Sequence, residues 1–120
     1  MTCCEYLELN PTELLEVLID NYLYDVPQEI NSPDDFISVS KMLSETCNQY
    51  SFLIQLSSAA KIKKRLAARE KDKTQKEDFI DKESIVCGVL DAVKLRYNTL
   101  SRMITVKQEY NRELNMNKQI

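Results

Sequence analysis

Beyond Pro33 the chain contains no proline and only one glycine, Gly88. A stretch of that length without turn formers cannot be divided into the many short strands of a sandwich or barrel. It has to fold as helix. With 120 residues and 14.0 kDa in all, there is room for one small domain and no second independent core. A chain that is 43% hydrophobic and 29% charged has globular rather than disordered composition.

Helix boundaries follow from local chemistry. Asn10 is a good N-cap, Pro11 suits the first helical position, and Glu13 stands where a capping box needs it. Leu14, Leu15, Val17, Leu18, Ile19, Tyr22 and Leu23 give this helix a broad apolar face. The run DVPQEINSP then predicts its end near Tyr24, for a helix over 11–24. Ser32 and Pro33 repeat the opening grammar, and Asp34 and Asp35 place negative charge on the positive end of the dipole. The second helix is expected over 33–72, with a stripe through Phe36, Val39, Leu43, Thr46, Tyr50, Leu53, Ser57 and Ala60. Cys47 and Cys87 read as small core hydrophobes, while Ile62, Leu66 and Ala67 read as the inner side of its basic end.

The polar run REKDKTQKEDF predicts a break, with Thr74 and Glu77 as a capping box opening a third helix over 76–115. Uninterrupted helix through 70–78 is the competing reading. In the third helix Val86, Leu90, Val93, Tyr97, Leu100 and Ile104 alternate strictly by four and three. Ile85, Val89, Ala92, Met103, Val106 and Tyr110 make a second stripe. Gly88 lies inside this helix, where it costs about 1 kcal/mol against Ala, and close approach of another helix would explain it. The predicted fold is all-α: a short N-terminal helix plus a long antiparallel helical hairpin. Since both long helices carry two adjacent stripes, the hairpin should assemble into an oligomeric helical bundle, a homodimer or higher oligomer. The other reading gives the spare face to a foreign partner.

Chemistry is constrained mostly by what is missing. No histidine occurs, which removes His-dependent triads, His metal sites and the Glu-x-x-His ligands of di-metal bundles. One glycine supplies neither a P-loop nor a dinucleotide fingerprint. Cys3 and Cys4 are adjacent, Cys47 and Cys87 stand alone, and no CxxC occurs. Glu77, Asp78, Asp81 and Glu83 read as a solvated cluster beside a turn. The expectation is a non-enzymatic protein with no cofactor and no metal. The opening MTCCEYLELNP has neither a basic n-region nor an apolar h-region, and no run approaches a bilayer span, so a reduced, cytoplasmic protein with no membrane partner is expected.

Charge is unevenly distributed. Residues 1–60 hold ten acids and one base, residues 61–76 eight bases and two acids, and the remainder is balanced. Lys61, Lys63, Lys64 and Arg65 form a ridge that reads either as a phosphate or nucleic-acid contact or as a solvated helix end. A pI near 5.0 argues against duplex DNA. Near the C-terminus, the alternation of the third helix passes Ile104 to Lys107 and Asn111, two polar residues at positions kept apolar before them. Arg102 and Arg112 flank them. A hairpin turning near Thr74 would set Lys107 opposite Lys41 and Tyr97 opposite Ser51. These positions define a candidate anion pocket, with Arg102, Lys107, Asn111 and Arg112 as donors and Tyr50, Tyr97 and Tyr110 as stacking faces. The same polar residues could instead fix helix register, or Lys107 could pair with Glu45 or Asp34.

Two stretches, NPTELLEVLIDNYLYDVPQEINSP (10–33) and LRYNTLSRMITVKQEYNRELNM (95–116), resemble small uncharacterised helical proteins encoded by phages and prophages of Gram-positive gut bacteria. The resemblance implies a phage-derived accessory protein acting in the host cytoplasm, and it assigns no residue a role. Small phage proteins often counter host defences. By analogy the expected function is a helical oligomer that sequesters an anionic nucleotide-type host signal. The alternatives are an anti-CRISPR-like inhibitor of a host defence protein, contacting it through the acidic N-terminal half, and a structural or recombination accessory protein acting only through assembly.

Overall fold

A computed structural model describes residues 1–118 as four helices: α1 (Cys3–Glu8), α2 (Pro11–Tyr22), α3 (Pro33–Arg69) and α4 (Lys73–Lys118). The described residues contain no strand. The starts of α2 and α3 follow the cap chemistry. Asn10 Oδ1 accepts from the Glu13 amide at 2.9 Å, and Ser32 Oγ from the Asp35 amide at 3.1 Å, each with proline at the first helical position. α1 has no counterpart in the sequence reading. Its six residues are too few to show a period, although Thr2 caps it by accepting from the Glu5 amide.

The break between the long helices comes earlier than expected and has different chemistry. α3 ends in a Schellman turn: the Lys71 amide donates to Ala68 O at 3.3 Å and the Asp72 amide to Ala67 O at 3.0 Å. Lys71 takes the left-handed position usually given to glycine, with φ 57°. Asp72, not Thr74, caps α4, accepting from the Gln75 amide at 3.1 Å. One acidic residue thus closes one helix and opens the next. Left-handed backbone costs an L-residue roughly 1 kcal/mol, so Lys71→Gly is expected to raise unfolding stability by about that amount in urea titration.

α3 and α4 pack along most of their length in opposite directions, with α2 on α4 and α1 on α3. The register is read from cross-contacts: Lys64 meets Glu83, Ser57 meets Cys87 and Thr46 meets Arg96. The resulting body measures 72 × 23 × 18 Å. Its core joins Tyr6 and Leu7 of α1, Leu14 and Leu18 of α2, Leu53, Leu56 and Ala60 of α3, and Val86, Val89 and Val93 of α4. Tyr6, Tyr22 and Phe52 add an aromatic cluster tying α1, α2 and α3 together. Burial pushes the Tyr22 phenol above its usual range, reinforced by the neighbouring Tyr6.

Several expected core positions are not core. Ile62 and Leu66 are 55% and 48% exposed, because α3 turns only Ala67 inward at its basic end. Cys47 is exposed, whereas Cys87 is half-buried against Ser57. Nothing lies within 4 Å of the place a Gly88 side chain would occupy, so no helix of this chain approaches it closely. In α4 the buried line is Val86, Val89, Val93, Arg96 and Leu100, and Tyr97 stands beside it, 37% exposed.

Candidate functional site

The inward line of α4 runs Lys82, Val86, Val89, Val93, Arg96, Leu100, Met103 and Lys107, in unbroken steps of four and three. It therefore carries three cations on an otherwise apolar seam. The first two are deeply buried, Lys82 at 4% and Arg96 at 7% exposure. Both serve the fold. Lys82 Nζ donates to the Leu7 carbonyl at 2.7 Å, at the C-terminal end of α1, and pairs with Asp78 at 2.6 Å. Arg96 donates through Nη1 to the Tyr22 carbonyl, the end of α2, through Nη2 to Gln49 Oε1, and through Nε to Thr46 Oγ1 at 3.0 Å. Tyr24 stacks over the guanidinium, its centroid 3.9 Å from Cζ. Burial pulls the Arg96 guanidinium below its usual range, with Tyr24 and Glu45 opposing that shift. Each cation thus satisfies a helix-end carbonyl that would otherwise lack a partner.

Lys107 differs because its surroundings thin out. It lies opposite the first turn of α3, near Pro33, Phe36 and Ile37, rather than opposite Lys41, since the turn at residues 70–72 shifts the register by between one and two helical turns. Beyond it α4 projects past α3, and residues 111–116 are all exposed. Lys107 is half-buried, its Nζ 5.3 Å from the centre of the Tyr110 ring. Among the described residues it forms no ion pair, with Glu45, Asp34 or any other acid.

Two grooves meet at Lys107. One, of ≈ 440 Å³, runs between residues 28–31 and α4, lined there by Arg102, Met103, Val106, Lys107 and Tyr110. The other, of ≈ 510 Å³, lies between the start of α3 and Lys107, Gln108 and Asn111. Asn31 lines both. The N-terminus of α3 borders the second groove, but its acidic first turn, Asp34 and Asp35, already answers the dipole: Ser32 Oγ accepts from the Asp35 amide, and Asp35 Oδ2 from the Asn31 amide at 3.0 Å. An anion here would therefore meet the side-chain cations and not a vacant helix dipole.

The structure brings together Arg102, Lys107 and Tyr110, with Asn111 across the Lys107 wall. Arg112 lines neither groove and sits on the exposed overhang. Tyr50 and Tyr97 are elsewhere, in a groove with Cys47, Ser51, Lys94 and Asn98. In the basic ridge, Lys64 is held by Glu83 at 2.6 Å and Lys63 lies over the Phe79 ring at 5.8 Å. Lys61 and Arg65 are exposed and, among the described residues, have neither kind of partner.

Among the described residues no group of three or more metal-ligating side chains converges, and no helix is long and apolar enough to cross a membrane. Sequence reasoning missed Lys82 and Arg96, although their place on the four–three line was there to be read. Comparison with protein-family models, with curated proteins and with solved structures finds no match for this chain.

Proposed function

We propose that this protein is a non-enzymatic binding protein that self-associates and holds an anionic, ring-bearing ligand of nucleotide type at the Lys107 groove. The observation that carries this reading is the convergence of Arg102, Lys107 and Tyr110 on one ≈ 440 Å³ groove. Two cations without ion-pair partners among the described residues would meet a phosphate, and the Tyr110 ring, 53% exposed, offers a base a stacking face. Val106 and Met103 supply the apolar floor such sites need. The resemblance of residues 10–33 and 95–116 to phage and prophage proteins supplies the biological setting, a counter-defence protein that sequesters a host signal in the host cytoplasm. Calorimetric titration with a cyclic dinucleotide and with a mononucleotide tests it. Arg102→Ala and Lys107→Ala are each expected to weaken the bound probe about tenfold or more, with helix content unchanged. Absence of binding to either probe, or normal binding by both variants, would overturn the site.

A second reading, inhibition of a host protein, has one observation in its favour. Leu15 and Ile19 of α2 are 41% and 42% exposed among the acids Glu13, Glu16 and Asp20. An apolar ridge set in negative charge suits a basic protein surface. A probe-silent Lys107 groove, with a host chain held through α2, would favour it.

A further inference from the structure

The N-terminal helices cover only one side of the α3–α4 pair. Phe52 marks the covered side, through its rings shared with Tyr6 and Tyr22. Tyr50, two residues away and so about 200° around the helix axis, marks the bare side. There Cys47, Tyr50 and Ser51 of α3 face Lys94, Tyr97 and Asn98 of α4 across an open groove of ≈ 350 Å³. The α3 stripe through this groove reads Leu43, Cys47, Tyr50 and Ile54, stepping by four, three and four. On α4 it runs through Leu90 and Ile104 on either side of Tyr97, at intervals of seven. This is a second helical seam, half-buried at Tyr50 and Leu90 where it meets the core and exposed at Ile54 and Tyr97.

We propose that a second copy of this chain occupies this face, antiparallel, with each long helix over its own counterpart. The inference rests on the self-associating part of the reading above and adds the surface and the orientation. Charge selects the occupant. In α3, residues 33–60 carry three acids and one base, and residues 61–69 five bases and no acid. In α4, residues 77–91 carry five acids and one base, and residues 94–112 five bases and one acid. α3 is acidic in its first half and basic in its second, and past the cationic turn α4 changes from acidic over 77–91 to basic over 94–112, so each helix complements itself reversed. The opposite orientation would set two cationic turns, residues 61–76, side by side. The area is also sufficient. A helix the length of α3 spans about 55 Å, and two side by side are roughly 20 Å wide. That gives on the order of 1,000 Å² per copy, above the roughly 800 Å² of a stable interface.

Light scattering on the full chain tests the proposal, with a mass twice the 14.0 kDa of one chain expected. Ile54 and Tyr97 are 42% and 37% exposed, so Ile54→Arg with Tyr97→Arg should leave helix content intact. The double variant should weaken self-association at least about 100-fold, because it buries two unpaired charges at the centre of the seam. Spin labels at Lys71→Cys, in a background without the native cysteines, report orientation: roughly 55 Å between turns is expected. A monomer at every attainable concentration would overturn self-association itself. A dimer indifferent to the double variant would overturn only the surface, and turns closer than about 25 Å would overturn only the orientation. Nucleotide binding at Lys107 is read separately, and its loss does not move these masses.

Discussion

Arg96→Met is expected to lower unfolding stability by about 3–5 kcal/mol, the largest loss of any single substitution outside the apolar core. The guanidinium is buried, and no carboxylate within ion-pair distance holds it; its partners are the Thr46 hydroxyl, the Gln49 amide and the Tyr22 carbonyl, under the Tyr24 ring. Methionine keeps most of the stem packing but leaves three acceptors without a donor, and the Tyr22 carbonyl ends α2 where no further turn can satisfy it. Each buried acceptor so stranded costs about 1–3 kcal/mol. Arg96→Lys should fall between, since a single ammonium cannot reach three divergent acceptors with the geometry of the fork. Thr46→Val should cost less in the Arg96→Met background than alone, because the hydroxyl has already lost its donor. Urea titration of the four variants beside the unaltered protein measures these differences. A loss below about 1 kcal/mol for Arg96→Met would mean that water replaces the guanidinium and that the α2 end is not anchored by it.

The pattern that predicts this result was in the sequence, yet a reading by hydrophobicity passes over it. The 1:1 appearance of valine and leucine at steps of four and three in α4 leads the eye to Tyr97, because Tyr97 is apolar and Arg96 is not. The backbone obeys a different constraint: α1 and α2 each end in a carbonyl that must be satisfied, and the two ends lie against α4 where Lys82 and Arg96 can reach them. That requirement depends on where two short helices dock, which no local pattern contains. What the sequence does contain was legible for local reasons. Asn10, Ser32 and the prolines after them fix helix starts by chemistry that reaches only three residues ahead. The turn at residues 70–72 was legible only as a polar interval, because its αL residue is lysine and its cap is an aspartate among many charges. One consequence reaches the candidate site. A turn a few residues earlier than expected slides α4 along α3, taking Lys107 from Lys41 to the first turn of α3. Tyr97 stands about 15 Å before Lys107 on the same helix, and with Tyr50 it lines a separate groove.

Lys82→Met should show the same physics at the other end of α4, with a smaller and more local effect. Lys82 Nζ bridges the Leu7 carbonyl and the Asp78 carboxylate, and its ammonium lies 5.0 Å from the centre of the Phe79 ring. Removing the charge leaves Asp78 able to turn to water, since its side chain is already 35% exposed. Leu7 has no such freedom: it is 3% exposed, at the end of a helix of six residues that holds itself together poorly. A loss of about 2–3 kcal/mol is therefore expected, concentrated in α1. Amide exchange at Leu7 and Leu9 should accelerate strongly, while amides near Val93 and Leu100 keep the protection of the long-helix pair. The effect should be more local than that of Arg96→Met, because α2 has twelve residues to carry its own helical hydrogen bonds whereas α1 has six. Uniform acceleration along α4 would show instead that α1 and the long helices unfold as one unit, with Lys82 stabilising the whole fold rather than clasping its N-terminal helix.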